Sequence, residues 1–567
     1  MRIGFLEFVF FCLIGLASFA QERCGTVAYE TQRHLKNPSK ETIEQFEQWM
    51  STKLSAQTKE QKQQRTQATY TIPVVVHIIH NGESIGSGLN LSDAQVLSQM
   101  KVLNNDFHRM NADQINTPTV FQSVAGAFDV DFVLAKQDPD GLPTSGIVRV
   151  KGSKTSWTAN DNYLLKAQSY WPAEQYLNVW VTYLTDYLGY TQFPVSPLAG
   201  LEEASNDRLT DGIVINYLEF GSIDDGNFNL NSKYNKGRTL THEMGHFFGL
   251  RHIWGDVGGC VGSDYVADTP LQSTSTGGCP AHPQTSCLET KMFQNYLDYT
   301  DDTCMNLFTQ GQVNRMLTIL LNSPRRKELP TSLGLQTPVA IADDLGIKKI
   351  ISPTSTVCSG SVTPSVLVRN TGNTTITNAQ LQLKRNNSVI ETKNVVLSLL
   401  PDAEQTISFN PITITASTTN TFDFVVTFVN SHADNNPTNN TKSIVTTTPA
   451  TASLPLTENF ATFPSTWSKD NPDGLTTWQT TTANGTTAVY MNFYDYIEIG
   501  TTDKIITPQL DLSTTSTVAL LFDRAYAQYT GASGEGLKVL ASTGCQFDNA
   551  PQVLFSKSDA SLATAAA

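Results

Sequence analysis

The sequence predicts a multidomain chain, with an α/β layer structure up to about residue 335 followed by all-β modules. Three observations predict it. The 567 residues suffice for three or four domains at about 100–200 residues each. In the first part a strand, a helix and a second strand follow one another, the order of an α/β layer. After Leu335 helical periodicity stops, Thr, Asn, Ser and Pro rise, and apolar residues alternate with polar ones, the period of a half-buried strand.

Taken in order, residues 1–20 read as a signal peptide. Arg2 supplies the basic start, Phe8–Leu16 the apolar run and Ala17–Ala20 the small cleavage residues. This implies a secreted or cell-surface protein. The run is too short for a bilayer core of about 30 Å, and no later stretch is long and apolar enough, so no transmembrane segment is expected. Residues 21–67 are polar, with one amphipathic helical stretch at Glu41–Leu54 and a Gln- and Lys-rich connector from Gln57 to Gln67. Such a connector is open to proteases. Ile72–Ile79 is a buried strand. Ser92 and Gln95 form a capping box before a helix with the apolar stripe Val96, Met100, Leu103 and Phe107. Leu177–Val181 is another strand. Further on, Ala379, Leu381 and Leu383 alternate with polar residues, as do Phe422, Phe424, Val426 and Phe428, and Asn370–Asn373 is a turn. Residues 345–448 therefore form a β-sandwich. A Thr- and Pro-rich linker precedes a last β-patterned stretch, 456–567, which ends without a closing strand and is expected to be cut short.

Composition limits the partners. The net charge is −14 and the pI about 5.1, which excludes a nucleic-acid binder or a ligand of anionic membranes, both of which need a basic surface. Of the eight cysteines, Cys12 lies in the leader. Cys260, Cys279, Cys287 and Cys304 cluster, which in an exported chain favours two disulfides; three connectivities are open. No C-x-x-C pair occurs among them, which argues against a structural zinc site. Cys24, Cys358 and Cys545 stand single.

Chemistry enters at residues 242–252, His-Glu-Met-Gly-His-Phe-Phe-Gly-Leu-Arg-His. His242 and His246, four apart on a helix, project from one face and grip one metal ion. Leu240, Met244, Phe247 and Phe248 bury the other side. Gly249 ends the helix and lets His252 return as a third ligand. Three imidazoles leave one position open, the arrangement of a catalytic zinc. Glu243 adjoins a ligand without being one, and is placed as the general base that takes the proton of an attacking water. His77, in an apolar strand, reads as a hydrogen-bonded core residue.

With its continuation Ile253-Trp254-Gly255-Asp256, this motif resembles the metzincin metalloproteases, and among them the pappalysin family. Ile72–Ile79, Leu188–Pro194, Asp268-Thr269-Pro270 and Asn295–Met316 match as well. The resemblance implies a two-lobed catalytic domain at 68–335, with the active-site helix between the lobes and 188–194 as the rim strand that pairs with extended peptide substrates. It implies pairing of Cys260 with Cys287 and of Cys279 with Cys304, and structural calcium at Asp264, Asp268 and Thr269. Tyr299 matches the family's oxyanion donor. Leu297 stands where metzincins carry a Met in a tight turn beneath the metal, a volume-conserving departure. Thr303 stands where some members carry an acidic residue tied to a basic substrate preference. Arg23-Cys24-Gly25 resembles the core of a cysteine switch, which makes 21–67 a propeptide with Cys24 as zinc ligand in a zymogen. Residues 345–448 resemble an Ig-like adhesion domain, and 456–567 a jelly-roll adhesin module; their expected role is to bind a protein or glycan ligand, or to serve as a spacer or structural part. The predicted function is a secreted zinc endopeptidase. The alternative is a surface adhesin with a catalytically weak metzincin domain.

Overall fold

The computed structural model describes residues 22–36, 40–56, 69–198, 207–339, 341–471, 477–483, 485–493, 502–513, 515, 517–528, 535–542 and 551–564. The leader, the Gln57–Gln67 connector and Cys545 lie outside them.

Seven strands build the main sheet: β1 (Glu22–Cys24), β2 (Tyr70–His80), β3 (Val130–Leu134), β4 (Ile147–Lys151), β5 (Leu177–Thr182), β6 (Tyr187–Thr191) and β7 (Ile213–Asn216). Their order is β1-β6-β7-β5-β2-β3, with β4 beside the second half of β2. All pairs are parallel except β6 with β7. Parallel strands covered on both faces carry continuous apolar runs, and β5 is buried at every residue. His77 is fully buried, its Nε2 2.9 Å from Asn178 Oδ1, and burial lowers its pKa to about 4. It is the expected neutral core residue.

Five helices matter for the site: α1 (Thr26–Lys36), α2 (Ile43–Ser55), α3 (Asp93–Phe107), α4 (Arg238–Phe247) and α5 (Gln310–Asn322). Helix α2 starts on a full capping box between Thr42 and Gln45. At α3 only half of the expected box forms. The Ser92 side chain accepts from Gln95 N at 3.2 Å, but the Gln95 amide donates to the Phe220 carbonyl at 2.8 Å. A buried carbonyl needs a donor more than an exposed helix start does. The α3 stripe Val96, Met100, Leu103 and Phe107 joins Leu240, Met244, Phe247 and Phe248 of the active-site helix and its end in one core.

That core also takes Phe46, Trp49 and Met50 from α2. Helix α2, on the N-terminal side of the connector, thus shares one apolar interior with the part that begins at residue 69. Glu47 of α2 is held as tightly. Arg315 donates to both its oxygens at 2.7 and 2.6 Å, and Arg251 adds a third bond at 2.8 Å.

The two clustered disulfides pair Cys260 with Cys287 and Cys279 with Cys304. Cys24 is free and buried. Cys358 does not stand single as expected, since it is disulfide-bonded. Residues 345–447 form the β-sandwich. A sheet of Leu345–Ser352, Ser365–Asn370 and Glu404–Ser408 joins a sheet of Ser388–Leu399, Ile376–Arg385, Thr419–Val429 and Thr441–Thr447 around a common core. In the last stretch the described residues form separate two-stranded antiparallel ladders, Ser468–Asp470 with Lys504–Ile506, Gln479–Ala483 with Thr486–Tyr490, and Gly536–Ala541 with Gln552–Ser558.

Candidate active site

Helix α4 is buried along its whole length, and its position is fixed from below. A Cβ on Gly245 would come within 2.8 Å of Leu297 Cδ2, so glycine lets the helix lie close on Leu297, which is fully buried at the expected turn. Gly249 ends the helix at φ +80°, a conformation glycine adopts without penalty, and the chain turns back through Leu250 to His252.

The turn brings three imidazoles together. The Nε2 atoms of His242, His246 and His252 stand 3.1–3.2 Å apart. Each ring's other nitrogen faces an oxygen: Nδ1 of His242 lies 2.7 Å from Tyr296 O, Nδ1 of His246 2.7 Å from Leu250 O, and Nδ1 of His252 2.5 Å from Asp256 Oδ1. The protons therefore sit on the Nδ1 atoms, and three Nε2 lone pairs point at one spot. Ligands about 2.0–2.1 Å from a tetrahedral zinc stand about 3.3–3.4 Å from one another. Burial lowers the pKa of His242 and brings that of His246 down to about 3, so both rings are neutral, as ligation requires. Cys24 Sγ belongs to the same group, whose ligand atoms all lie within 4.8 Å. Burial, with Glu243 nearby, pushes its thiol well up; only a cation beside it reverses that. The donor set fits zinc.

Glu243 is fully buried. Its Oε2 accepts from Thr26 Oγ1 and from Thr191 Oγ1, both at 2.9 Å, and its Oε1 has no partner. Burial raises its pKa. Tyr299 packs edge-on against both His252, centroids 4.9 Å apart, and Trp254, 4.8 Å apart, and these two rings stack on each other. Burial raises the Tyr299 pKa, so the hydroxyl stays a donor.

The segment bearing Cys24 lies across this site. Strand β1 pairs with the rim strand β6 in parallel, Cys24 opposite Gly189, and Gly25 N donates to Gly189 O at 2.9 Å. Arg23 enters a buried pocket, where it donates to Thr300 O at 2.6 Å and to Met305 Sδ at 3.3 Å. It stands 3.5 Å from Asp302 and over the Tyr234 ring. Thr303, at the family's acidic position, is exposed and outside these contacts.

The calcium residues divide. Thr269 Oγ1 donates to Asp264 Oδ2 at 2.7 Å, and burial pushes the Asp264 carboxyl up to about 7. Asp268 turns to the start of α5, accepting from Thr309 Oγ1 and from Gly311 N. Asp264 and Thr269 come together; Asp268 is engaged elsewhere. Sequence reasoning passed over Thr26, Thr191, Asp302 and the role of Asp256. Of these only Asp256 carried a local signal, four residues after a ligand.

Comparison with known proteins agrees with this geometry. A family profile described as "Pregnancy-associated plasma protein-A", peptidase family M43, matches residues 162–321. An extracellular metalloprotease of Verticillium alfalfae is 32% identical over 254 residues, which are 44% of this chain and 77% of that one. The chain belongs to the pappalysin family of metalloproteases. An extracellular metalloprotease of Arthroderma benhamiae is 52% identical over 87 residues, 15% of this pappalysin and 32% of the relative. A solved promirolysin mutant from Tannerella forsythia is 40% identical, covers 55% of this chain and 97% of its own, and has a TM-score of 0.45. A CARDB profile matches residues 342–444, the sandwich after the pappalysin domain. Among the described residues no helix is long and apolar enough to cross a membrane.

Proposed function

We propose that the chain is a secreted zinc endopeptidase, made as a latent precursor, that cleaves internal peptide bonds of extracellular proteins. One observation carries the reading: three Nε2 lone pairs converge beside a buried glutamate with one unpartnered oxygen. Zinc, when held by His242, His246 and His252, supplies the positive charge that polarises the scissile carbonyl and the attacking water. Glu243 takes the proton of that water and delivers it to the leaving amine. Tyr299 donates to the oxygen on which negative charge develops. Strand β6 pairs with an extended substrate once β1 has left, a mode that reads main chain more than side chain. Export is supported by the leader at 1–20 and by relatives named extracellular metalloproteases. The sandwich and the last β stretch serve as a protein- or glycan-binding or spacing arm.

The test is casein turnover by the mature protein. Chelation abolishes it and added zinc restores it; turnover that survives chelation refutes the reading. Calcium enters only at Asp264 with Thr269. Calcium added to the zinc-loaded protein raises the melting temperature, and an unchanged melting temperature removes it from the account.

Latency rests on two contacts of the propeptide. Cys24 closes the donor set, and Thr26 holds the carboxylate of the base. Cys24→Ala therefore raises casein cleavage by the uncut precursor at least about tenfold, the order of one charge-assisted contact. It does not reach the mature rate, because Thr26 and β1 remain. A Cys24→Ala precursor as silent as wild type sinks the switch.

A further inference from the structure

We infer that Thr191 is the positioning residue of the general base. The inference rests on the reading of Glu243 given above. Thr191 sits on the rim strand β6 and is fully buried. Its Oγ1 stands 2.9 Å from Glu243 Oε2 and 3.0 Å from the main-chain oxygen of the same residue. Two residues earlier, Gly189 faces the same side chain: a Cβ there would come within 3.0 Å of Glu243 Cγ. Residues i and i+2 of a strand share a face. Glycine thus makes room for the glutamate, and threonine supplies its donor.

The need for that donor follows from what departs on activation. In the precursor two hydroxyls hold Oε2, those of Thr26 and Thr191, while Oε1 is buried without a partner. Thr26 belongs to the propeptide. When it leaves, the Thr191 hydroxyl is the one protein donor to this carboxylate among the described residues. A carboxylate held at one oxygen keeps one rotamer and leaves its other oxygen, here the unpartnered Oε1, to take the proton. Without the hydroxyl it loses that fixed direction, and proton transfer depends on geometry first. The same strand thereby has two jobs: its main chain is open to substrate and this one side chain orients the base.

The experiment compares mature wild type, Thr191→Val, Thr191→Ala and Thr191→Ser on one fluorogenic peptide, with zinc content and melting temperature measured on each. Val and Ala lower kcat about ten- to a hundredfold, the effect of one hydrogen bond to a charged group. KM stays within about twofold and zinc content is unchanged, the pattern of an interaction made in the chemical step. Ser, which restores the hydroxyl, returns kcat to near wild type. If Val does not fold, Ala against Ser decides. A kcat for Val or Ala equal to wild type, a Ser variant as slow as Ala, or a loss confined to KM overturns the inference. A wild-type enzyme that does not cleave at all refutes the zinc endopeptidase itself, a result separate from these.

Discussion

Glu243→Ala in the mature protein is expected to lower casein turnover about 10²- to 10⁴-fold, the contribution of a positioned general base, while zinc content stays at the wild-type level. The two halves of the result have separate causes. The three imidazoles are oriented by Tyr296 O, Leu250 O and Asp256, none of which touches the Glu243 side chain, so the metal site outlives the substitution. The carboxylate is fully buried beside the site, and no other acid is in the group formed by the three histidines and Cys24. Glu243→Gln gives the same loss with the volume kept. Turnover is read on casein and metal by atomic absorption; equal cleavage by wild type and Glu243→Ala removes Glu243 from the chemistry.

Arg238→Ala is expected to cost about 3–5 kcal/mol of stability, the penalty for stripping one partner from a buried ion pair. Arg238 is the first residue of α4 and is 5% exposed. Its guanidinium bonds Asp106 through Nε and Nη2, Asp113 through Nη1 and Nη2, and the Asp302 carbonyl. Asp106 is 2% exposed and also accepts from Thr241 and from the Tyr296 hydroxyl. Tyr296 in turn holds His242, so the damage reaches the ligand set. Urea unfolding of the precursor measures the cost. Arg238→Met with Asp106→Leu recovers part of it, because the buried Asp106 charge goes with its partner while the half-buried Asp113 still loses one. A single variant within about 1 kcal/mol of wild type contradicts the argument.

The three histidines and Glu243 were legible because helical spacing puts His242 and His246 on one face and Gly249 returns His252. The strands at Ile72 and Leu177, and the sandwich strands, were legible from their apolar periods for the same reason: period is local. The disulfide pairing came only from the family resemblance, since spacing left three connectivities open. Thr26, Thr191 and Asp302 were not legible. Thr26 and Glu243 are 217 positions apart in sequence, Thr191 and Glu243 52, and no period reports a contact of that kind. That α2 packs into the same core as the later residues was not legible on similar grounds. Polarity and a charged connector mark where a protease enters, and say nothing of Phe46, Trp49 and Met50 reaching the core from one face of α2.

Glu47 has a consequence for timing. While the chain is continuous its contact with Arg315 and Arg251 is intramolecular, and α2 is kept beside its seat at high effective concentration. A single cut in the connector breaks no bond of this ion cluster and removes no apolar side chain from the core. It changes only the bookkeeping of association, from one molecule folding on itself to two molecules in equilibrium. Occupancy of the cleft then depends on how dilute the products are and how soon the freed fragment is destroyed. The same cut is thus nearly silent in a crowded sample and decisive in a dilute one.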